Sequence, residues 1–106
     1  MTTNYLFEVV NNQNCRKYLK KCYYLKVKIT HDLIPYLSDF GFLEMQEFSK
    51  FSPIAKDCFK ISVDENLYIN GVIDEYLLYL TVSKANENFV PIFEQKLVEW
   101  LLNNKH

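Results

Sequence analysis

Along this chain, short runs in which apolar and polar residues alternate outnumber stretches with the longer period of a helix. Tyr5-Leu6-Phe7-Glu8-Val9-Val10 reads as a strand, closed by the polar run Asn11-Asn12-Gln13-Asn14. Asn14 is placed to cap a short helix through Cys22, with Tyr18, Leu19 and Cys22 on one side and lysines on the other. Over Tyr23 to Thr30, Leu25, Val27 and Ile29 alternate with Lys26 and Lys28, the pattern of a strand with one wet face. Thr30 or Asp32 then caps a helix reaching Phe40, with Pro35 tolerated in its first turn. Gly41 stands where a left-handed residue would end that helix.

Phe42 to Phe48 resumes as a strand, and Lys50 to Asp57, with Ser52-Pro53, is the most loop-like segment and the first place to look for a gate. From Cys58 the pattern predicts a meander. Phe59, Ile61 and Val63 alternate, Asp64-Glu65-Asn66 turns, and Leu67-Tyr68-Ile69 extends. Asn70-Gly71 between Ile69 and Val72 is the strongest two-residue hairpin signal, because both central positions of such a turn need positive φ. Tyr76 to Ser83 is apolar on both faces and predicts a central strand.

Asn88 opens a final helix from Phe89 to about Asn103, with Phe89, Phe93, Leu97 and Trp100 on one face, joined by Val90 and Leu101. Val98 and Leu102 flank that stripe, as the edge of a wide buried arc or as an exposed contact patch. The chain is therefore expected to be a single α+β domain over residues 1–106. A mostly antiparallel sheet of about five to six strands would carry two helices on one face, including the C-terminal amphipathic helix.

Composition narrows the class. Aromatic content is high, with eight Phe, eight Tyr and Trp100, which suits a sheet over a thick aromatic core. Cys15, Cys22 and Cys58 are odd in number and unevenly spaced, so reduced thiols are expected; Cys22, near Lys20, Lys21 and Lys26, is the candidate for a reactive one. No stretch approaches the roughly 18 apolar residues that span a bilayer. The first ten residues hold Glu8 and no basic residue, unlike a signal peptide, so a cytoplasmic location and no membrane partner are expected. Scarce Gly, Ala and Arg beside abundant Asn, Lys, Ile, Phe and Tyr fit an AT-rich coding sequence, such as that of a low-GC bacterium, a phage or another mobile element.

Charge is segregated. Residues 1–31 hold Arg16, Lys17, Lys20, Lys21, Lys26 and Lys28 against Glu8 alone, while the remainder is acidic and the whole chain carries −1. His31-Asp32 is the one internal acid–base pair, and without a distinctive nucleophile context it reads as a capping or surface element, with no catalytic residue assigned. No metal-ligand spacing occurs, and Gly41 and Gly71 are too few for a phosphate-cradling loop, so no metal or cofactor is expected.

Three functions remain. The leading expectation is a non-catalytic interaction protein that binds and masks another macromolecule, of the inhibitor, immunity-protein or phage-antagonist type. Its partner surface would be an acidic edge of Asp64, Glu65, Asp74 and Glu75 with Tyr68 and Tyr76 as anchors, on the expectation that both acidic turns share one rim. The second is a single-stranded nucleic-acid binder using Arg16, Lys17, Lys20, Lys21, Lys26 and Lys28 interleaved with Tyr18, Tyr23 and Tyr24. The third places a small molecule between the sheet and the Lys50–Asp57 loop. A homodimer through Val98 and Leu102 or through a sheet edge is a further expectation.

Overall fold

The computed structural model describes residues 6–12 and 18–103. Its elements run β1 (Phe7–Asn12), β2 (Tyr18–Leu25), α1 (Leu33–Ser38), β3 (Phe42–Gln46), β4 (Cys58–Asp64), β5 (Leu67–Val72), β6 (Leu77–Ser83) and α2 (Phe89–Asn103). Single 3₁₀ turns lie at Phe48–Lys50 and Lys84–Asn86. The α+β expectation holds: one six-stranded antiparallel sheet has the order β1-β2-β6-β5-β4-β3, with both helices on one face.

Alternation along the strands decides which side meets the helices. Tyr23 and Leu25 of β2, Phe59 and Ile61 of β4, Ile69 of β5, and Leu78, Leu80 and Val82 of β6 are buried together against Phe93, Leu97, Trp100 and Leu101 of α2. α1 adds Leu33 and Leu37 to the same core. Polar bonds fix the two helical segments to each other: the Trp100 Nε1–H donates to Asp32 Oδ1 at 3.3 Å, and the Asn103 amide donates to the Tyr36 hydroxyl at 2.7 Å. β6 lies inside the sheet, as expected, although the helices cover only one of its faces, and β1 and β3 are the edges.

Four local expectations fail. The helix from Asn14 to Cys22 is replaced, from Tyr18 onward, by β2; residues 13–17 lie outside the described residues. Lys20 to Tyr24 of β2 pair on both sides, with β1 and β6, so ladder hydrogen bonds and Tyr side chains on a pleated surface outweigh a weak helical pattern. β2 also ends at Leu25 instead of Thr30. The next residues are stitched to the β5–β6 turn by backbone bonds from Leu25 N to Tyr76 O, Ile29 N to Glu75 O and Asp74 N to Ile29 O, at 2.7–2.8 Å. Ile29 is fully buried there.

The two glycines were misread. Asn70-Gly71 makes no hairpin; both residues lie inside β5, with Asn70 opposite Lys60 and Tyr79, and Gly71 opposite Phe59 and Leu78. Gly71 is there for space, since a Cβ would stand 3.0 Å from Leu78 Cδ1 and from Phe59 Cζ. The turn falls three residues later, at Asp74, which takes the positive φ of 76° itself. Gly41 likewise has no positive φ; it follows a helix that stops at Ser38 and passes against the backbone of β4.

Candidate functional site

The helices leave the other face of the sheet uncovered. Cross-strand register builds it from two central rows. One runs Lys20–Thr81–Tyr68–Ser62–Phe42, and the next runs Cys22–Tyr79–Asn70–Lys60–Glu44. Tyr24 and Leu77 extend it at one corner and Val72, Cys58 and Gln46 at another. Over β3, β4 and β5 this face holds a hollow of about 710 Å³ open to solvent, lined among others by Glu44, Lys60, Tyr68, Asn70 and Cys58, with Lys20 reaching in from β2.

Two lysines are held in place within it. The Lys20 ammonium lies 5.0 Å from the centre of the Tyr79 ring, and that of Lys60 lies 4.5 Å from the Tyr68 ring. Between them Thr81 is 7 % exposed, with no hydrogen-bond partner for its hydroxyl among the described residues. Burial also pushes the Tyr79 phenol above its ordinary range, with smaller contributions from Cys22 and Tyr24.

The acidic edge is not assembled. Asp64 and Glu65 lie in the β4–β5 turn and Asp74 and Glu75 in the β5–β6 turn, at opposite ends of β5. Successive meander turns alternate ends, so the length of that strand, roughly 17 Å at 3.3–3.4 Å per residue, separates the two pairs. Tyr68 stays on the uncovered face near the first turn, and Tyr76 is exposed beside the second. Glu75 is paired with Lys56.

The basic segment is split by strand alternation. Tyr18, Lys20 and Tyr24 share the helix-free face, whereas Lys21 and Tyr23 point the other way. Lys21 donates to Asn11 at 2.9 Å, and Tyr23 is buried in the core with its hydroxyl donating to Glu94 at 2.7 Å. Lys26 and Lys28 are exposed after β2, and Arg16, Lys17 and Cys15 lie outside the described residues. Of the lysines expected around Cys22, only Lys20 shares its face; Cys22 and Cys58 are free thiols on the uncovered face. Sequence reading missed Lys60, Tyr79, Asn70 and Thr81, because only pairing across β2, β6, β5 and β4 brings them beside Lys20.

The Lys50–Asp57 loop lines no part of the concavity. It exposes Phe51 and Ile54 almost completely, at 88 and 89 %, and Phe48 partly. Its base is anchored by Asp57, whose carboxylate accepts the Ser49 N–H at 3.0 Å and faces His31 Nε2 at 3.6 Å. The His31-Asp32 pair is thus divided: His31 serves Asp57, while Asp32 accepts from Thr30 and Trp100. The Ser49 amide holds the Asp57 carboxyl below the usual carboxylate range, with His31 adding less. Its stabilising contribution is complete at neutral pH and is lost as pH falls through that lowered value. Asp57→Asn is expected to flatten the acid limb of stability below about pH 4. Urea midpoints measured between pH 2 and 7 check this, and parallel curves for both proteins would contradict it.

On α2, Val98 packs half-buried against the core, while Leu102 is 57 % exposed, so they do not form one patch of equal exposure. Among the described residues no group of three or more His, Cys, Asp or Glu is placed to hold a metal ion. No helix among them is long and apolar enough to cross a membrane. No protein-family model, curated protein or solved structure matches the chain.

Proposed function

We propose that this is a non-catalytic interaction protein that docks on another protein through the concave, helix-free face of its sheet, and so masks or regulates it. The observation that carries the reading is the make-up of that face. Tyr68, Tyr79, Tyr24 and Phe42 are set among Ser62, Asn70, Thr81 and Gln46 on a surface that the helices leave open. Tyrosines interspersed with short polar side chains supply large contact area at low entropic cost, the combination found where proteins grip proteins. A six-stranded sheet with a packed helical layer behind holds those side chains rigidly, which lowers the ordering cost of binding. The inhibitor, immunity-protein and phage-antagonist classes share this economy, acting by occupation alone.

Charge favours protein over nucleic acid as the partner. The face holds Lys20 and Lys60 against Glu8 and Glu44, whereas a phosphate backbone is gripped by a clear excess of cations. The test is affinity capture from the native host with wild type, the double variant Tyr68→Ala/Tyr79→Ala, and Ile92→Ala on exposed α2 as control. A protein enriched by wild type and control is expected to fall at least tenfold with the double variant, about 1.4 kcal/mol. Equal capture by all three would place the interface elsewhere. Tight, salt-sensitive binding of a labelled twelve-residue oligothymidylate would favour the nucleic-acid reading instead.

A further inference from the structure

Lys20 and Lys60 do not lie straight across their strands. Lys20 is in register with Thr81, yet its ammonium sits over Tyr79, two residues along β6. Lys60 is in register with Asn70, yet its ammonium sits over Tyr68, two residues along β5. Both side chains therefore lean inward from β2 and β4 over the central strands. The two rings beneath them belong to diagonal neighbours, which stand roughly 7–8 Å apart in an antiparallel pair, with their Cβ atoms somewhat closer.

Neither lysine forms an ion pair among the described residues, although Glu44 is directly opposite Lys60 and lines the same concavity. Thr81 lies between Lys20 and Tyr68 in the register, with its hydroxyl buried beneath this face and outside the lining of the hollow. Two cations without an acidic partner among the described residues, leaning inward over one hollow, make a place for an oxygen-bearing anion.

We propose that the concavity recognises an acidic peptide segment of the partner, with a carboxylate bridging Lys20 and Lys60. The inference rests on the protein-docking reading above and adds the chemistry of the partner: an Asp- or Glu-bearing strand or loop that fits a hollow of about 710 Å³. A peptide suits the site better than a bare ion, because the tyrosines flanking the lysines offer ring faces and hydroxyls over several residues' length. Glu44 opposes the anion and sets a limit on its affinity.

The experiment is an NMR titration of the isotope-labelled full chain. The probes are a blocked hexapeptide of alternating Glu and Gly, its Gln counterpart, inorganic phosphate, and a six-residue oligothymidylate. The Glu peptide is expected to shift the amides of Lys20, Thr81, Tyr68, Asn70 and Lys60 saturably. Affinity should fall at least tenfold in Lys20→Gln/Lys60→Gln, fall again in 0.5 M salt on the order expected for screened charges, and rise about two- to threefold in Glu44→Gln, as removal of one nearby like charge predicts.

Equal shifts with the Gln peptide, no shifts at all, or shifts centred on other lysines such as Lys26, Lys28 and Lys84 would overturn the proposal. Tighter binding of phosphate alone would make this a small-anion site, and tighter binding of the oligothymidylate a nucleic-acid site; either overturns it too. The host capture separates the two levels of the argument. A partner lost with Tyr68→Ala/Tyr79→Ala but retained by Lys20→Gln/Lys60→Gln keeps the face and removes the acidic segment.

Discussion

Gly41→Ala is expected to remove at least about 3 kcal/mol of folding stability, a large part of what a domain of this size possesses. A Cβ on Gly41 would stand 2.2 Å from the Ser62 carbonyl oxygen, 2.7 Å from its carbon and 2.8 Å from Val63 Cα. Every one of those atoms is backbone. No rotamer change can relieve the clash, and β3 would have to part from β4 at the register pair Phe42–Ser62. The β4 register also shifts between Ser62 and Asp64, so the approach occurs at an irregularity that the rest of the ladder holds in place.

Gly71→Ala supplies the contrast. There the nearest atoms are the ends of Leu78 and Phe59 side chains at 3.0–3.1 Å, which can move by a few tenths of an ångström. About 1 kcal/mol is expected for that change, at the low end of overpacking costs. Urea unfolding of the three proteins, followed by far-ultraviolet circular dichroism, ranks them. A Gly41→Ala protein as stable as wild type would mean that β3 and β4 do not approach in this way.

The glycines show where sequence reading works and where it stops. Both read locally as positive-φ positions, the commonest local reason for glycine, yet both are required by cross-strand contacts, Gly41 with the backbone of β4 and Gly71 with Phe59 and Leu78 on the strands beside it. Local pattern contains no trace of such a neighbour. The alternation of Phe59 and Ile61, and the stripe of Phe93, Leu97 and Trp100, are legible because burial of one face imposes its period directly on the residues, whereas Tyr76 to Ser83 reads as apolar on both faces and hides the buried row Leu78, Leu80 and Val82. β2 lay between these cases. Its alternation of Tyr18, Lys20, Cys22 and Tyr24 with Leu19, Lys21, Tyr23 and Leu25 is real, but lysines on both faces hide it.

The same limit governs the candidate site. Lys20 and Tyr24 stand out in the sequence for their neighbours, and Tyr68 for its nearness to acidic turns. What joins Lys20 to Tyr68 is Thr81, a residue of a third strand with nothing distinctive about it. The acidic rim failed for a topological reason: two consecutive turns of a meander cannot share an end of the sheet.

Tyr23 provides the second large effect, because packing and polarity meet in it. Its ring is fully buried and meets Phe7 at 5.4 Å and Phe93 at 5.2 Å, both edge to face, so it joins β1, β2 and α2. Tyr23→Ala is expected to cost about 4 kcal/mol, in the range for deleting a buried aromatic. Tyr23→Phe keeps the rings and loses only the bond to Glu94, about 1–2 kcal/mol for a hydrogen bond to a charged group that is still partly open to water. Burial first, and then the Glu94 carboxylate, push the phenol far above its ordinary value. Its proton is therefore held in the folded chain while the unfolded chain releases it near pH 10, so the contribution is complete below that point and declines as pH rises beyond it. Tyr23→Phe should lose this alkaline decline, in urea midpoints measured from pH 8 to 11. Equal costs for the two substitutions would show that the hydroxyl outweighs the ring, and an unchanged alkaline limb in Tyr23→Phe would show that another group produces it.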